Sequence, residues 1–217
     1  MNILVYGDSN SAGLMPNEDN YKKSTKLNYY PKNKLWWFGL AENNNVVCDA
    51  LVGRAINEEN PWLANRNATI TFVSDFTKDK AQLKIEDFDI IILMLGSNDC
   101  KTIYNKTAEQ ISSSLENLIK IIRANSKAKI ILIAPPQLKS GTKIVDKHYI
   151  NGPQKTQKLT KLYAKLAKNN DFEIISALNC DIGIDGEHLT ETGHTQLKTL
   201  VSNLIKQNNY NNLIRNK

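Results

Sequence analysis

Two segments of the chain carry the residue types that acyl-transfer chemistry uses. Ser9 lies in Gly7-Asp8-Ser9-Asn10, and His188 lies in Asp185-Gly186-Glu187-His188. A serine hydroxyl is a weak nucleophile by itself and needs a base such as histidine to take its proton. A carboxylate three residues before the histidine can accept its Nδ1 hydrogen and leave Nε2 free as that base. This pattern favours a catalytic triad of Ser9, Asp185 and His188, in the chain order Ser, Asp, His.

Two further segments, Gly53-Arg54 and Gly96-Ser97-Asn98-Asp99, could help to hold the oxyanion that forms when an ester carbonyl is attacked. Three donors are suitable: the backbone N–H groups of Ser9 and Gly53, and the side-chain amide of Asn98. Such donors matter because losing one costs a hydrolase about 3 to 4 kcal/mol of transition-state stabilisation. Glycine has no Cβ, so the backbone at position 53 could approach a substrate closely.

Three of these segments directly follow predicted strands, and the histidine segment lies between the last strand and the last helix. Runs of β-branched and aliphatic residues predict five strands, most of them continuously apolar as in a sheet buried on both faces; they are Asn2–Tyr6, Val46–Leu51, Asp89–Leu95, Lys129–Ala134 and Phe172–Ser176. Helical patterns lie between and after them, at Asn33–Glu42, Ala108–Ala124, Gln154–Asn169 and Thr192–Lys206. This alternation predicts a parallel sheet with right-handed crossovers, in which the polar segments converge at one edge.

The helical patterns differ in quality. The helix from Ala108 carries an apolar stripe that would pack on the sheet, and Thr107 can cap it together with Gln110. Gly39 weakens the prediction for Asn33–Glu42. The stretch Asn57–Glu86 has features of both helix and strand, so its structure stays open.

Composition indicates an ordinary globular protein. We expect the 217 residues to form one domain, 1–217, with a tail, Gln207–Lys217, that frays. The net charge of +6 comes from scattered lysines that are not clustered with aromatic residues, which argues against a nucleic-acid partner.

The sequence also bears on location and on metals. The start of the chain lacks a basic region followed by a long apolar run, so we expect a cytoplasmic protein without a membrane span. Cys48, Cys100 and Cys180 are odd in number and widely spaced, which suggests reduced thiols rather than disulfides or a zinc site.

Other roles are open for several of these residues. Ser9 could be only a turn or N-cap residue, and Asn98 and Asp99 could cap a helix or close a turn. Glu187 and Asp181 compete with Asp185 as the partner of the histidine.

The other two histidines have alternative roles as well. His194 is a rival base but falls in the last predicted helix, and His148 could line a pocket. A metal site formed by Asp185, His188 and His194 is disfavoured because these residues lack a recognisable zinc spacing. We expect no metal and no cofactor.

Together the four segments resemble the SGNH, or GDSL, hydrolase superfamily, which is named for one residue in each of four blocks. The matching positions are Ser9 in GDSN, Gly53 in LVGR, Asn98 in GSND and His188 in DGEH. The closest likeness is to the arylesterase and acyl-transesterase branch, whose blocks here read GDSNSAG, LVGRAIN, LGSNDCK and DGEHLTETGH. The resemblance implies a three-layer α/β flavodoxin-like fold, with a five-stranded parallel sheet of order 2-1-3-4-5. It also assigns Asp185 as the acid of the triad.

The resemblance further implies a serine esterase that acts on small ester substrates with short acyl groups, acetyl above all. Lysophospholipids and thioesters are alternative substrates for the same machinery, and association into a homo-oligomer is an expectation from the resemblance alone. Ala55 and Ile56 replace two threonines that the branch usually has, so its substrate preferences need not carry over. The competing class is a non-catalytic flavodoxin-like binding module, which is expected to have lost at least one of Ser9, Asn98 and His188.

Overall fold

The computed structural model contains one five-stranded parallel sheet, and the structure describes residues 1–78 and 83–208. The strands are β1 (Asn2–Gly7), β2 (Asn45–Ala50), β3 (Ile90–Met94), β4 (Lys129–Ala134) and β5 (Glu173–Ser176). Their order across the sheet is β2-β1-β3-β4-β5, as predicted. Each predicted strand agrees with the observed one to within a residue at either end.

Six α-helices lie in the described part of the chain: α1 (Ser9–Ala12), α2 (Ala68–Phe72), α3 (Ala108–Asn125), α4 (Lys143–His148), α5 (Gly152–Asn170) and α6 (Glu191–Gln207). The predicted cap of α3 is present, since the Thr107 and Gln110 side chains each accept a hydrogen bond from the other residue's backbone. Among the described helices none combines the length and the apolar character needed to cross a membrane. For the predicted fraying tail, residues 209–217 lie outside the described residues.

The sheet separates two hydrophobic cores, which gives the fold three layers. Alternate residues of each strand point to opposite sides of a sheet, so Leu4 and Tyr6 of β1 face the core that contains α3 and α5. Ile3 and Val5 face the second core, which contains Trp36 and α6. Both faces of β1 are therefore buried, as its continuous apolar sequence indicates.

The strand register brings three strand ends level at the edge of the sheet where the polar segments begin. Gly7, the last residue of β1, lies opposite Ala50 of β2 and Met94 of β3. The segments after these strands therefore start side by side. The order of the sheet also reverses here, because β2 lies on one side of β1 and β3 on the other.

The predicted helix Asn33–Glu42 is wrong. The structure has two separate 3₁₀ turns, Lys32–Lys34 and Phe38–Glu42, with Leu35 in an extended conformation between them. The apolar residues here are buried by contact with the second core rather than by the face of a regular helix, and Trp36 is fully buried. The apolar spacing that resembled a helix thus reflects tertiary packing.

The open stretch Asn57–Glu86 is largely irregular where it is described. It contains α2, a π-helical turn at Val73–Thr77 and the start of a 3₁₀ turn at Ile85–Asp87. Residues 79–82 of this stretch lie outside the described residues. Phe72 and Phe76 pack edge-on against Tyr6 and anchor the segment to the first core.

Replacing Ile92 by alanine tests the contribution of the central sheet to stability. Ile92 is fully buried in β3, so Ile92→Ala should lower the free energy of unfolding by about 2–5 kcal/mol. Urea denaturation followed by circular dichroism measures the loss. The matched control is Ile70→Ala, because the Ile70 side chain is exposed in α2 and should change stability by less than about 0.5 kcal/mol. Equal losses in the two variants would contradict this account of the core.

Candidate active site

Ser9 begins helix α1 directly after the central strand. Asp8 is the N-cap of this short helix, and its carboxylate accepts a hydrogen bond from the backbone N–H of Asn10 at 3.0 Å. A Cβ on Gly7 would lie 2.3 Å from the Ser11 hydroxyl oxygen, so the tight turn needs glycine at this position. The turn therefore fixes the Ser9 side chain at the edge of the sheet, where its exposed fraction is only 2%.

The structure brings the predicted triad together. The His188 Nε2 atom lies 2.9 Å from the Ser9 hydroxyl oxygen, and the His188 Nδ1 atom lies 2.7 Å from an Asp185 carboxylate oxygen. The other oxygen of Asp185 accepts the backbone N–H groups of Glu187 and His188, each at 3.0 Å. The backbone N–H of Asn17 donates to Asp185 as well, at 3.0 Å. The carboxylate is thereby held against the imidazole.

Neighbouring carboxylates favour the protonated form of His188. Burial by itself would lower the pKa of this histidine, but the negative charges of Glu187 and Asp185 outweigh burial and raise the pKa above its ordinary value. For Asp185, burial would raise the pKa of the carboxyl group, yet the hydrogen bonds from His188 and from the backbone lower it. Asp185 therefore stays ionised beside a histidine that accepts a proton readily.

Asn10 joins the serine turn to the histidine segment. Its side-chain oxygen accepts the backbone N–H of Leu189 at 2.9 Å, and its side-chain nitrogen donates to the backbone oxygen of Glu187 at 3.3 Å. These two bonds hold the backbone on both sides of His188. Asn10 thus holds together two segments that lie 179 positions apart in sequence and aligns the histidine with the serine.

The segment after β2 carries Gly53 and starts level with the serine turn, because Ala50 lies opposite Gly7. Gly53 has a positive φ of 78°, and a Cβ there would lie 2.7 Å from the side-chain nitrogen of Asn60. The fully buried Arg54 donates to the backbone oxygen of Gly7 at 3.2 Å and pairs with Asp49 at 2.7 Å. On the far side of the segment, both carboxylate oxygens of Asp99 accept the backbone N–H of Ile56, at 3.0 and 3.1 Å. The segment is therefore tied to the ends of β1 and β3.

The third predicted donor is the side-chain nitrogen of Asn98. Asn98 starts a 3₁₀ turn after β3, and its side-chain nitrogen is buried without a hydrogen-bond partner among the described residues. In the same described part of the chain, the backbone N–H groups of Ser9 and Gly53 have no partner either. All three predicted donors are thus free to bind a ligand oxygen.

The structure also reveals a buried polar cluster that the sequence analysis missed. Lys101 donates to the side-chain oxygen of Asn98 at 2.6 Å, and its ammonium group lies over the rings of Tyr21 and Tyr149 at 5.1 and 5.7 Å. Both tyrosine hydroxyls donate to the carboxylate of Glu187, that of Tyr21 at 2.8 Å. The available signal was the spacing of Lys101 three residues after Asn98, which places both side chains on the same side of a 3₁₀ turn.

Three residues that the sequence offered as alternatives, Asp181, His194 and His148, make other contacts. Asp181 accepts the hydroxyl of Thr190 at 2.5 Å instead of contacting His188. His194 is fully buried in α6, and burial lowers its pKa to about 4. His148 stacks on Tyr21, with 4.6 Å between the ring centroids. In the described residues, no group of three or more His, Cys, Asp or Glu side chains could hold a metal ion.

This geometry agrees with the comparison with known families. The model of the GDSL-like lipase/acylhydrolase family matches residues 3–200, which is most of the chain. The chain belongs to this family. As a GDSL-like acylhydrolase it is a carboxylic ester hydrolase, and the resemblance that the four sequence blocks indicated is confirmed.

Solved structures share the fold of this family member. A carbohydrate acetylesterase from Sinorhizobium meliloti, Est24, has a TM-score of 0.79 at 23% sequence identity, and the match covers 95% of this chain and 98% of that chain. The aryl esterase of M. smegmatis has a TM-score of 0.78 at 23% identity, with the same coverage. A putative arylesterase from Agrobacterium tumefaciens str. C58 has a TM-score of 0.74 at 20% identity, again with 95% and 98% covered. Comparison with curated protein sequences gave no significant match.

The position of Glu187 predicts the pH dependence of this acylhydrolase. Glu187 raises the pKa of His188 by its negative charge, so Glu187→Gln should lower that pKa. The acid limb of kcat/KM, which reports the free base, should then move to lower pH. A profile of kcat/KM from pH 4 to 9 with a soluble ester measures the shift.

The matched control for this profile is Glu191→Gln. Glu191 lies three residues after His188 but is exposed and pairs with Lys34, so the acid limb should not move. A limb that stays in place or moves to higher pH in Glu187→Gln would contradict the electrostatic account.

Proposed function

We propose that this acylhydrolase cleaves short-chain acyl esters, acetyl esters above all, through an acyl-enzyme on Ser9. The observation that carries the proposal is the hydrogen-bonded series of Ser9, His188 and Asp185. The Asn98 side-chain nitrogen, which has no partner among the described residues, supports it as an oxyanion donor. A nucleophile, an oriented base and preorganised oxyanion donors are the parts that serine-based ester cleavage requires.

The first half of the reaction forms the acyl-enzyme. The Ser9 oxygen attacks the ester carbonyl carbon while His188 Nε2 takes the hydroxyl proton, and Asp185 stabilises the resulting imidazolium. The carbonyl oxygen becomes an oxyanion, which accepts hydrogen bonds from the Ser9 and Gly53 N–H groups and the Asn98 amide. The carbon–oxygen bond to the alcohol then breaks, and His188 returns its proton to the leaving alcohol.

The second half releases the acid. A water molecule attacks the acyl carbon while His188 accepts one proton of the water. A second oxyanion forms, which accepts hydrogen bonds from the same donors. When this intermediate collapses, the bond to the Ser9 oxygen breaks and His188 gives that oxygen its proton. The free enzyme and the carboxylic acid result, and each proton that leaves a nucleophile is returned to a leaving group.

Burial of the reacting residues supports a small acyl group. Ser9 and His188 are each only 2% exposed. Reacting residues with so little exposed surface favour a short acyl chain over a long or branched one. The structural neighbour described as a carbohydrate acetylesterase supports the same choice.

Hydrolysis of p-nitrophenyl acetate, butyrate and octanoate tests the proposal. The wild type should release p-nitrophenol fastest from the acetate, with rates that fall as the chain lengthens. Ser9→Ala and His188→Ala should each lower kcat by about 10⁴-fold or more, because the members of a triad act as a unit. Ser140→Ala is the matched control, since Ser140 is exposed outside the site and its loss should leave the rate unchanged.

Mass spectrometry of acid-quenched samples tests the intermediate itself. During turnover of the acetate ester the wild type should gain the mass of one acetyl group, and the modification should map to the peptide that contains Ser9. The acetylated species should be absent in Ser9→Ala. Retention of the wild-type rate by Ser9→Ala would overturn the acyl-enzyme, and faster cleavage of the octanoate would overturn the acetyl preference.

A further inference from the structure

Lys101 is a buried cation beside Asn98, one of the predicted oxyanion donors. Its exposed fraction is only 5%, and burial lowers the pKa of its amino group. Burying an ammonium group is costly unless nearby groups compensate for lost water. The one hydrogen-bond acceptor of the Lys101 ammonium group among the described residues is the side-chain oxygen of Asn98, at 2.6 Å. The buried charge of Lys101 thus contacts a single side-chain amide, that of Asn98.

The contact with Lys101 determines which way the Asn98 amide points. An amide has an acceptor oxygen and a donor nitrogen of nearly equal size, so either end could face a given direction. A lysine ammonium has three donors and no acceptor, so only the amide oxygen can face it. The amide nitrogen must then point away from Lys101, where it is buried and has no protein partner among the residues described.

Other members of the buried cluster keep the ammonium group in place. The rings of Tyr21 and Tyr149 lie beneath it, which is a favourable arrangement for a cation. The hydroxyls of these tyrosines bind Glu187, whose negative charge compensates that of Lys101. Because Glu187 directly precedes His188, the cluster joins the segment of the base to the segment of Asn98.

We propose that Lys101 is a positioning residue that orients and polarises the Asn98 amide so that its N–H bond points at the oxyanion. A positive charge on the amide oxygen draws electron density from the nitrogen and strengthens its N–H donor. This inference rests on the proposed function, since it assigns Lys101 a role in the same ester cleavage. It acts through Asn98 and does not touch the substrate.

The test is a double-mutant cycle between Lys101 and Asn98, with rates measured on p-nitrophenyl acetate at the pH of maximal kcat. Lys101→Met keeps an unbranched side chain that is one atom shorter but removes the charge and the donors. It should lower kcat about 10- to 100-fold, within the range for hydrogen bonds to charged groups, and should change KM by less than about threefold because the oxyanion forms only in the transition state. Asn98→Ala should lower kcat about 10²- to 10³-fold.

The double variant gives the decisive comparison. If Lys101 acts through Asn98, adding Lys101→Met to Asn98→Ala should lower kcat by less than about twofold further. If Lys101→Met causes the same fold loss with and without Asn98, Lys101 acts by another route and the proposal is overturned. A loss that falls mainly on KM would overturn it as well.

Lys101→Gln provides a second variant in case Lys101→Met does not fold. Its neutral amide can still donate to the Asn98 oxygen, so its loss of kcat should be smaller than that of Lys101→Met and should also vanish in Asn98→Ala. A loss that persists in Asn98→Ala contradicts the proposal. Thermal melting of each variant shows whether it is folded.

Lys106→Met is the matched control. Lys106 lies in the same connection between β3 and α3 and pairs with Glu58 rather than with Asn98, so kcat should stay within about twofold of wild type. The two proposals fail differently. An active Ser9→Ala overturns the acyl-enzyme, whereas a Lys101 effect that is independent of Asn98 overturns only the present inference.

Discussion

Parallel pairing of the central strand β1 with β2 on one side and β3 on the other is the constraint on which the site depends. The pairing levels the last residues of these strands, so Gly7, Ala50 and Met94 lie in one row. After each strand the chain continues into a polar turn at the same edge of the sheet. The hydrophobic cores on both faces fix this register, because a shift by one residue would turn buried side chains toward the wrong core.

The turns are held by buried polar side chains rather than by regular structure. Arg54 ties the segment of Gly53 to the end of β1, and Asp99 ties it to the end of β3. Asn10 ties the histidine segment to the serine turn. Each of these side chains makes hydrogen bonds to backbone groups of another segment, which is how irregular segments can be rigid. Rigid donors need little rearrangement when charge develops on a substrate.

Buried strands leave a local signal in the sequence, whereas the pairing of Ser9 with His188, 179 positions apart, was predicted from the positions of the four blocks after the strands and from their family resemblance. Continuous apolar runs mark buried strands, and the three-residue spacing of Asp185 and His188 is visible without a structure. The segment Asn33–Glu42 was mispredicted, since its apolar residues are buried by contacts with the sheet and with α6, which are distant in sequence. The cluster around Lys101 was missed for a similar reason. Its members come from four segments that meet only in the folded chain.

The site joins opposite ends of the chain, with Ser9 in the first ten residues and His188 in the last thirty. A ribosome synthesises the chain from its N-terminus, so the serine leaves the exit tunnel long before the histidine has been made. Without its base the serine is an ordinary alcohol. In the proposed mechanism the nascent chain therefore carries an inert hydroxyl through most of translation, and cleavage through Ser9 becomes possible only after His188 has been synthesised and has reached the serine.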